Sequence, residues 1–264
     1  MGEAAPVVDH VTSRDGTRIG FHRSGEGPPL VLLHGATGAH WSFRYILPSL
    51  AERFTLYAVD RRGRGESGDA DGYAIEREFE DVAAIVDSLG EPANVFGHSY
   101  GATVALGAVL ATPNIAKLVL YEGSPGISVV PHEHLERIEE LVERGEREEA
   151  LVYALDLFGL TTDEIEQLGG APTWPVRVSS AHTVAREVRA EEAYELEPGR
   201  FSEVAASALL LLGGESPDWA RAGAERIRDA LPDARIAVLP GEGHAAIMTA
   251  PELVADEVTR FLAG

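Results

Sequence analysis

Apolar residues fall along this chain in two alternating patterns, short unbroken runs and longer amphipathic stretches. The runs are Leu30–Leu33, Phe54–Val59, Ala93–Phe96, Lys117–Tyr121, Ala208–Leu212 and Arg235–Leu239. They have strand length, and their lack of polar alternation predicts strands buried on both faces, as in a parallel sheet. Between them, Ile75, Phe79, Val82, Ile85, Val86 and Leu89 sit at helical spacing and predict a helix over 76–89, with Gly90 just past its end. An Ala-rich helix runs from Ala102 to Ala111 and stops before Pro113. Further helices are predicted over 218–230 and over 251–262, the latter opened by Pro251. Residues 10–25 read as a hairpin with its turn at Asp15-Gly16. Strands alternating with helices predict an α/β domain with a parallel sheet.

The rhythm changes between residues 127 and 200. Leu135, Ile138, Leu141 and Val142 mark one helix, Gly145 interrupts, and Leu151, Ala154, Leu155 and Phe158 mark a second. A third is expected over 176–190, after Trp174 flanked by Pro172 and Pro175. No strand-like run occurs here. The stretch 127–200 therefore reads as a helical insertion into an α/β domain built from 1–126 and 201–264.

Composition narrows the partners. With 264 residues and 45% hydrophobic content the chain can bury a core, and its net charge of -21 argues against nucleic acid or an anionic membrane as partner. The charge is uneven: residues 127–200 hold 17 Asp/Glu against 7 Lys/Arg. That places much of the acidity on the solvent face of the insertion, and predicts a weak, salt-screened bias against anionic substrates at an entrance there. The absence of cysteine excludes a disulfide, a thiolate metal site and a Cys nucleophile. The opening MGEAAPVVDH lacks the basic and apolar regions of a secretory signal, and no apolar run reaches the roughly 18 residues of a membrane span. The expectation is a cytoplasmic protein.

The chemistry is concentrated in Gly97-His98-Ser99-Tyr100-Gly101. A buried strand precedes this G-x-S-x-G and a small-residue helix follows it, the context in which a serine stands exposed on a tight strand-to-helix turn. The following helix points its partially positive N-terminus at the site. A bare G-x-S-x-G arises easily among 28 glycines, so the context carries the reading. A serine nucleophile needs a base. His244, in the Gly-rich loop GEGHAAIM after the last strand, is the candidate; His98 is held inside the turn and His34 lies in the loop after the third strand.

Together, HGATG (34–38), DRRGRGESG (60–68), GHSYG (97–101), the helical insertion, a strand ending in Gly213-Gly214 and GEGH (241–244) resemble the α/β-hydrolase superfamily over nearly the whole chain. The resemblance implies a mostly parallel eight-stranded sheet flanked by helices, with a helical cap inserted after strand 6. It implies an oxyanion hole made by the backbone N–H groups of Ala36 and Tyr100, and no cofactor or metal. The acid departs from the family's commonest layout. Three residues after Gly213, where an aspartate is usual, stands Ser216. Glu122, directly after the sixth strand, is the preferred acid, because some members carry theirs there. Asp218 is the alternative, although it reads equally as a first-turn helix residue, and a weakly assisted Ser–His dyad remains the third option.

Other signals are discounted. Gly63, Gly65 and Gly68 match G-x-G-x-x-G but do not open a helix at once, as a dinucleotide site requires. Arg61, Arg62 and Arg64 suit loop-packing salt bridges, with Asp60 as a partner. His132 and His134 are spaced i,i+2, which splays them apart on a helix.

The expected function is cofactor-independent hydrolysis of a small or medium ester, lactone or related carbonyl compound through an acyl-enzyme on Ser99. Serine at this turn argues against epoxide opening or dehalogenation, for which the superfamily uses a carboxylate nucleophile. Two alternatives remain: a lyase, perhydrolase or cofactor-free oxygenase in the same pocket, or a small-molecule receptor on the same scaffold. The partner is a small-molecule substrate, with no nucleic acid and no membrane, and a homodimer is left open.

Overall fold

In the computed structural model, which describes residues 7–197 and 199–264, the apolar runs become the strands of one sheet. Residues 1–6, six of the ten residues of the opening segment read as lacking a secretory signal, lie outside the described residues. The strands are β1 (Val7–Thr12), β2 (Arg18–Ser24), β3 (Pro29–Leu33), β4 (Thr55–Val59), β5 (Ala93–His98), β6 (Ile115–Tyr121), β7 (Ser207–Gly213) and β8 (Ala234–Leu239). They form one eight-stranded sheet in the order β1-β2-β4-β3-β5-β6-β7-β8. β1 and β2 are the expected hairpin, β2 runs antiparallel to β4, and every pairing from β4 to β8 is parallel. Gly16 takes a φ of 89° in the hairpin turn, and the Asp15 carboxylate accepts the Thr17 N–H at 2.9 Å.

The helices are α1 (Leu47–Ala51), α2 (Ile75–Ser88), α3 (Tyr100–Ala108), α4 (His132–Glu143), α5 (Arg147–Leu157), α6 (Thr162–Gly169), α7 (Trp174–Ser179), α8 (Val184–Ala193), α9 (Asp218–Ala230), α10 (Ala246–Thr249) and α11 (Pro251–Ala263). Short 3-10 turns occupy His40–Phe43 and Ala181–Thr183. Alternation along each strand divides the core. Val31, Leu33, Val95, Leu118, Leu120 and Leu210 pack with α2 and α3 on one face. Leu30, Leu32, Phe96, Val119, Leu209 and Leu211 pack with α1 and α11 on the other. Both faces are covered, which is why the strands read as unbroken apolar runs. Each fully buried leucine contributes about 1.5–3 kcal/mol relative to exposure, so the strand ends form a rigid platform.

Three expectations change in detail. α3 stops at Ala108 rather than Ala111, because Leu110 and Ala111 bond back to the Gly107 and Ala108 carbonyls in a tightened last turn. The helix expected over 176–190 is instead α7, a 3-10 turn and α8. The hydroxyls of Ser179, Ser180 and Thr183 bond carbonyls three residues back and compete with the helical pattern there. α6 was not foreseen, although Thr161 and Glu164 form a capping box at its start.

Helices α4 to α8 all fall between β6 and β7 and have their own apolar core, centred on Leu135, Ile138, Leu141, Leu151 and Leu155. A buried ionic network joins this insertion to the sheet domain. Glu187 of α8 takes Arg61 Nη2 at 2.7 Å on one oxygen and Arg64 Nη2 on the other. Arg61 also reaches Glu78 at 2.9 Å, and Arg62 pairs with Asp81 and Asp15. The three arginines are thus loop-packing groups as expected, but Asp60 is not their partner. It accepts the backbone and ring N–H of His40 and the backbone N–H of Glu66 instead. Burial would raise the Asp60 carboxyl, but its bonds to His40 outweigh that and hold it below the usual aspartate range. Among the described residues no helix is long and apolar enough to cross a membrane.

Candidate active site

Three non-glycine residues among those described have positive φ: Thr37 at 60°, Ser99 at 55° and Glu122 at 53°. They follow the carboxyl ends of β3, β5 and β6, which neighbour one another in the sheet. Residues with side chains enter this region only at a cost of about 1–3 kcal/mol each, and such strain gathers where geometry serves chemistry.

Ser99 sits between β5 and α3 with ψ at -127°, and its N–H donates to the Tyr121 carbonyl of β6 at 2.8 Å. The turn closes only because its flanks are glycine. A Cβ on Gly97 would collide with the Gly101 carbonyl, and one on Gly101 with the Leu33 carbonyl of β3. Tyr100 is the first residue of α3, so its N–H and the partial positive charge of the helix start lie beside Ser99. Ala36 and Tyr100 line the same cavity as Ser99. Among the described residues neither of these two N–H groups is bonded to another backbone carbonyl. The loop carrying Ala36 is held by His34, whose Nδ1–H donates to the Gly35 carbonyl at 2.7 Å and whose Nε2 accepts from Arg61 N–H. Burial, with Arg61 and Arg64 nearby, keeps His34 neutral, as that pairing requires.

His244 lies in the loop after β8 and lines the cavity with Ser99. Its Nδ1–H donates to Glu122 Oε2 at 2.6 Å. The other oxygen of Glu122 accepts the Gly213 N–H at 2.7 Å and the Ser216 hydroxyl at 2.5 Å. The carboxylate is fully buried, and every recorded bond to it donates into it. Glu122 therefore holds the imidazole with Nδ1 protonated and leaves Nε2 free to accept a proton. Ser216, in the slot where the resemblance leads one to expect an aspartate, supports the glutamate from the loop after β7 instead. Asp218, the alternative acid, opens α9 and makes no recorded contact with His244. The His244 loop is fastened by His98 Nε2–H donating to the His244 carbonyl at 3.0 Å, and by the Tyr121 hydroxyl donating to the Gly243 carbonyl. Trp219 stands edge-on to the imidazole, ring centres 5.3 Å apart.

Burial, with His244 beside it, pushes His98 down to about 3. An unfolded histidine takes a proton near pH 6.5, so between that value and about 3 the unfolded chain binds more protons than the folded one. Stability on account of His98 is therefore lost as pH falls through this window, by about 1.4 kcal/mol per pH unit. His98→Gln is expected to remove that slope between pH 6.5 and 5, as read from denaturant midpoints; an unchanged slope would exclude His98 as its source.

The cavity measures about 270 Å³. Its apolar wall comes largely from the insertion, through Leu155, Leu157, Phe158, Leu160, Leu168 and Val188. Polar groups on its wall that motif reading missed are Arg44, Arg177 and Glu191. Glu191 is buried, accepts from the Thr103 hydroxyl and the Ser124 N–H, and is pushed up by burial. Among the described residues, the group with metal-ligand composition is His22, His40 and Asp60. None of these lines the cavity, and Asp60 is already engaged as described. His132 and His134 turn to different partners, Glu192 and Tyr153.

In comparisons with known proteins, residues 30–257 match the model described as the alpha/beta hydrolase family. The chain is 27% identical to 2-(acetamidomethylene)succinate hydrolase of Mesorhizobium japonicum, over 99% of this chain and 99% of that protein. It is 37% identical to a soluble epoxide hydrolase of Corynebacterium over 38% of this chain and 35% of that protein. Among solved structures, an alpha/beta hydrolase from Sphaerobacter thermophilus matches with a TM-score of 0.82 at 36% identity, covering 96% of this chain and all of that one.

Proposed function

The chain belongs to the alpha/beta hydrolase family and is an enzyme of that family; we propose that it hydrolyses an ester, lactone or related small carbonyl compound through an acyl-enzyme on Ser99. The observation that carries this reading is the His244–Glu122 pair at 2.6 Å, with both remaining donors on the far oxygen of the glutamate, sharing a cavity wall with a strained serine.

The steps follow from that geometry. Ser99 Oγ attacks the carbonyl carbon as His244 Nε2 takes its proton, and Glu122 stabilises the imidazolium through Nδ1–H. The carbonyl oxygen, now an oxyanion, rests on the N–H groups of Ala36 and Tyr100. Each such preorganised donor is worth about 3 kcal/mol of barrier. The intermediate collapses as Nε2–H protonates the leaving oxygen, leaving an ester on Ser99. Water then enters, gives its proton to Nε2, and releases the acid and free Ser99. The insertion serves as a cap whose apolar wall excludes bulk water and selects small or medium substrates, since the cavity falls just below the usual range of about 300–1,000 Å³ for ligand sites.

Similarity to a soluble epoxide hydrolase raises one direct contrast. Serine at position 99 favours attack on a carbonyl. A panel of p-nitrophenyl esters, lactones and terminal epoxides tests this. Turnover of esters or lactones without epoxide opening is expected; epoxide opening without ester turnover would overturn it.

A further inference from the structure

The cavity over Ser99 is apolar on most sides, but two guanidinium groups reach it. Arg177 comes from α7 of the insertion, and Arg44 follows the 3-10 turn at His40–Phe43. Among the described residues neither forms an ion pair. Arg177 Nη1 donates to Thr37 Oγ1 at 2.8 Å, and Arg44 donates to the Trp41 carbonyl at 3.3 Å and the Tyr45 hydroxyl at 3.0 Å. The buried arginines of the fold, Arg61, Arg62 and Arg64, each meet at least one carboxylate, whereas Arg177 is half-buried and Arg44 exposed. In a chain with 43 acidic residues, a half-buried arginine left without a counter-charge stands out. Burying a charge is costly unless it is paired, so the missing partner calls for an anion supplied from outside.

The setting of Arg177 suits that role. Its guanidinium lies over the Trp41 ring, 4.6 Å from the centre, with one nitrogen tied to Thr37 and most of its N–H fork unspent. Thr37 is a β-branched residue held at positive φ, and it directly follows Ala36. The anchored guanidinium thus lies next to the backbone proposed to hold the oxyanion. Burial, and Arg44 nearby, push Arg177 down to about 10, so it remains cationic at neutral pH.

We propose that the preferred substrate is an ester or lactone carrying a free carboxylate, which binds between Arg177 and Arg44 while its carbonyl is presented to Ser99. This rests on the hydrolase reading above. A carboxylate matches the planar fork of arginine through paired N–H···O bonds, which supply orientation as well as attraction. The acidic face of the insertion acts against anions through screened, exposed charge, and Glu191, the buried carboxylate on the cavity wall, is engaged by Thr103 and Ser124 and pushed toward its neutral form by burial, whereas these two arginines act at contact. Contact wins, and the bias against anionic substrates expected from the insertion's composition is reversed inside the cavity.

The test compares the mono-p-nitrophenyl ester of glutaric acid with p-nitrophenyl pentanoate, together with calorimetric binding of glutarate to the wild-type enzyme. The wild type is expected to favour the charged ester in kcat/KM by at least about tenfold. Arg177→Met should lower the charged-to-neutral ratio by about 10- to 100-fold, chiefly through KM, with partial recovery in Arg177→Lys and a smaller loss in Arg44→Met. Glutarate should bind the wild type and not Arg177→Met. An unchanged ratio in Arg177→Met, or no glutarate binding to the wild type, would overturn the proposal while leaving the hydrolase reading intact if both esters turn over. Glutarate binding that is lost in Arg177→Met, with neither ester turned over, would support the anion site and count against hydrolysis.

Discussion

Glu122→Gln is expected to lower kcat on a chromogenic ester by about 10⁴-fold, the scale seen when an acid that fixes the histidine tautomer is replaced by its amide. The reason lies on both sides of the carboxylate. Gly213 N–H and the Ser216 hydroxyl donate to one oxygen, so a glutamine must place its carbonyl there to satisfy them. Its NH₂ then faces His244 Nδ1, which must accept rather than donate. The imidazole is left with its proton on Nε2 and cannot take one from Ser99. Asp218→Asn, on the first turn of α9, is expected to change kcat by no more than about twofold, as a surface substitution away from the pair. Steady-state kinetics on the two variants decides the matter. A large loss in Asp218→Asn with a small one in Glu122→Gln would reverse the assignment.

The second large effect concerns stability. Glu187 is fully buried and carries two arginines, one on each oxygen. In Glu187→Ala, Arg61 keeps Glu78, but Arg64 loses its recorded carboxylate and stays buried. Stranding a buried charge in this way costs about 3–5 kcal/mol. In a chain of this size that is a fall in Tm of roughly 6–20 °C. Arg186→Gln breaks a more exposed pair with Asp69 across the same junction and should cost less than about 1 kcal/mol. Differential scanning calorimetry of the two variants checks the contrast. Equal shifts would mean that the buried network does not hold the insertion to the sheet domain.

The sheet was legible because both of its faces are covered, which leaves strands as unbroken apolar runs that periodicity picks out. Ser99 and His244 were legible because their backbone settings leave local marks, glycines around a tight turn and a glycine-rich loop after the last strand. Glu122 was legible as the preferred candidate from its place at a strand end, but the donors that hold its far oxygen, Gly213 at the end of β7 and Ser216 in the loop after it, are 91 or more residues away and came only with the structure. Other features came only with the structure, for related reasons. Glu187, the carboxylate shared by Arg61 and Arg64, lies on α8, more than a hundred residues downstream, and such pairings have no period. The break between α7 and α8 depends on serine and threonine hydroxyls turning back on the helix, a choice that apolar spacing does not record. Arg177 sits among apolar neighbours in Trp-Pro-Val-Arg-Val, where a lone charge reads as solvent-facing until the cavity shows what it faces.

The central claim is that Ser99 is a nucleophile activated by His244. Intact-protein mass spectrometry after exposure to a fluorophosphonate measures this most directly. The wild type is expected to gain one adduct, mapped to Ser99, and the folded Ser99→Ala variant none. A folded wild type that takes no adduct, or a Ser99→Ala variant that still takes one, would contradict it.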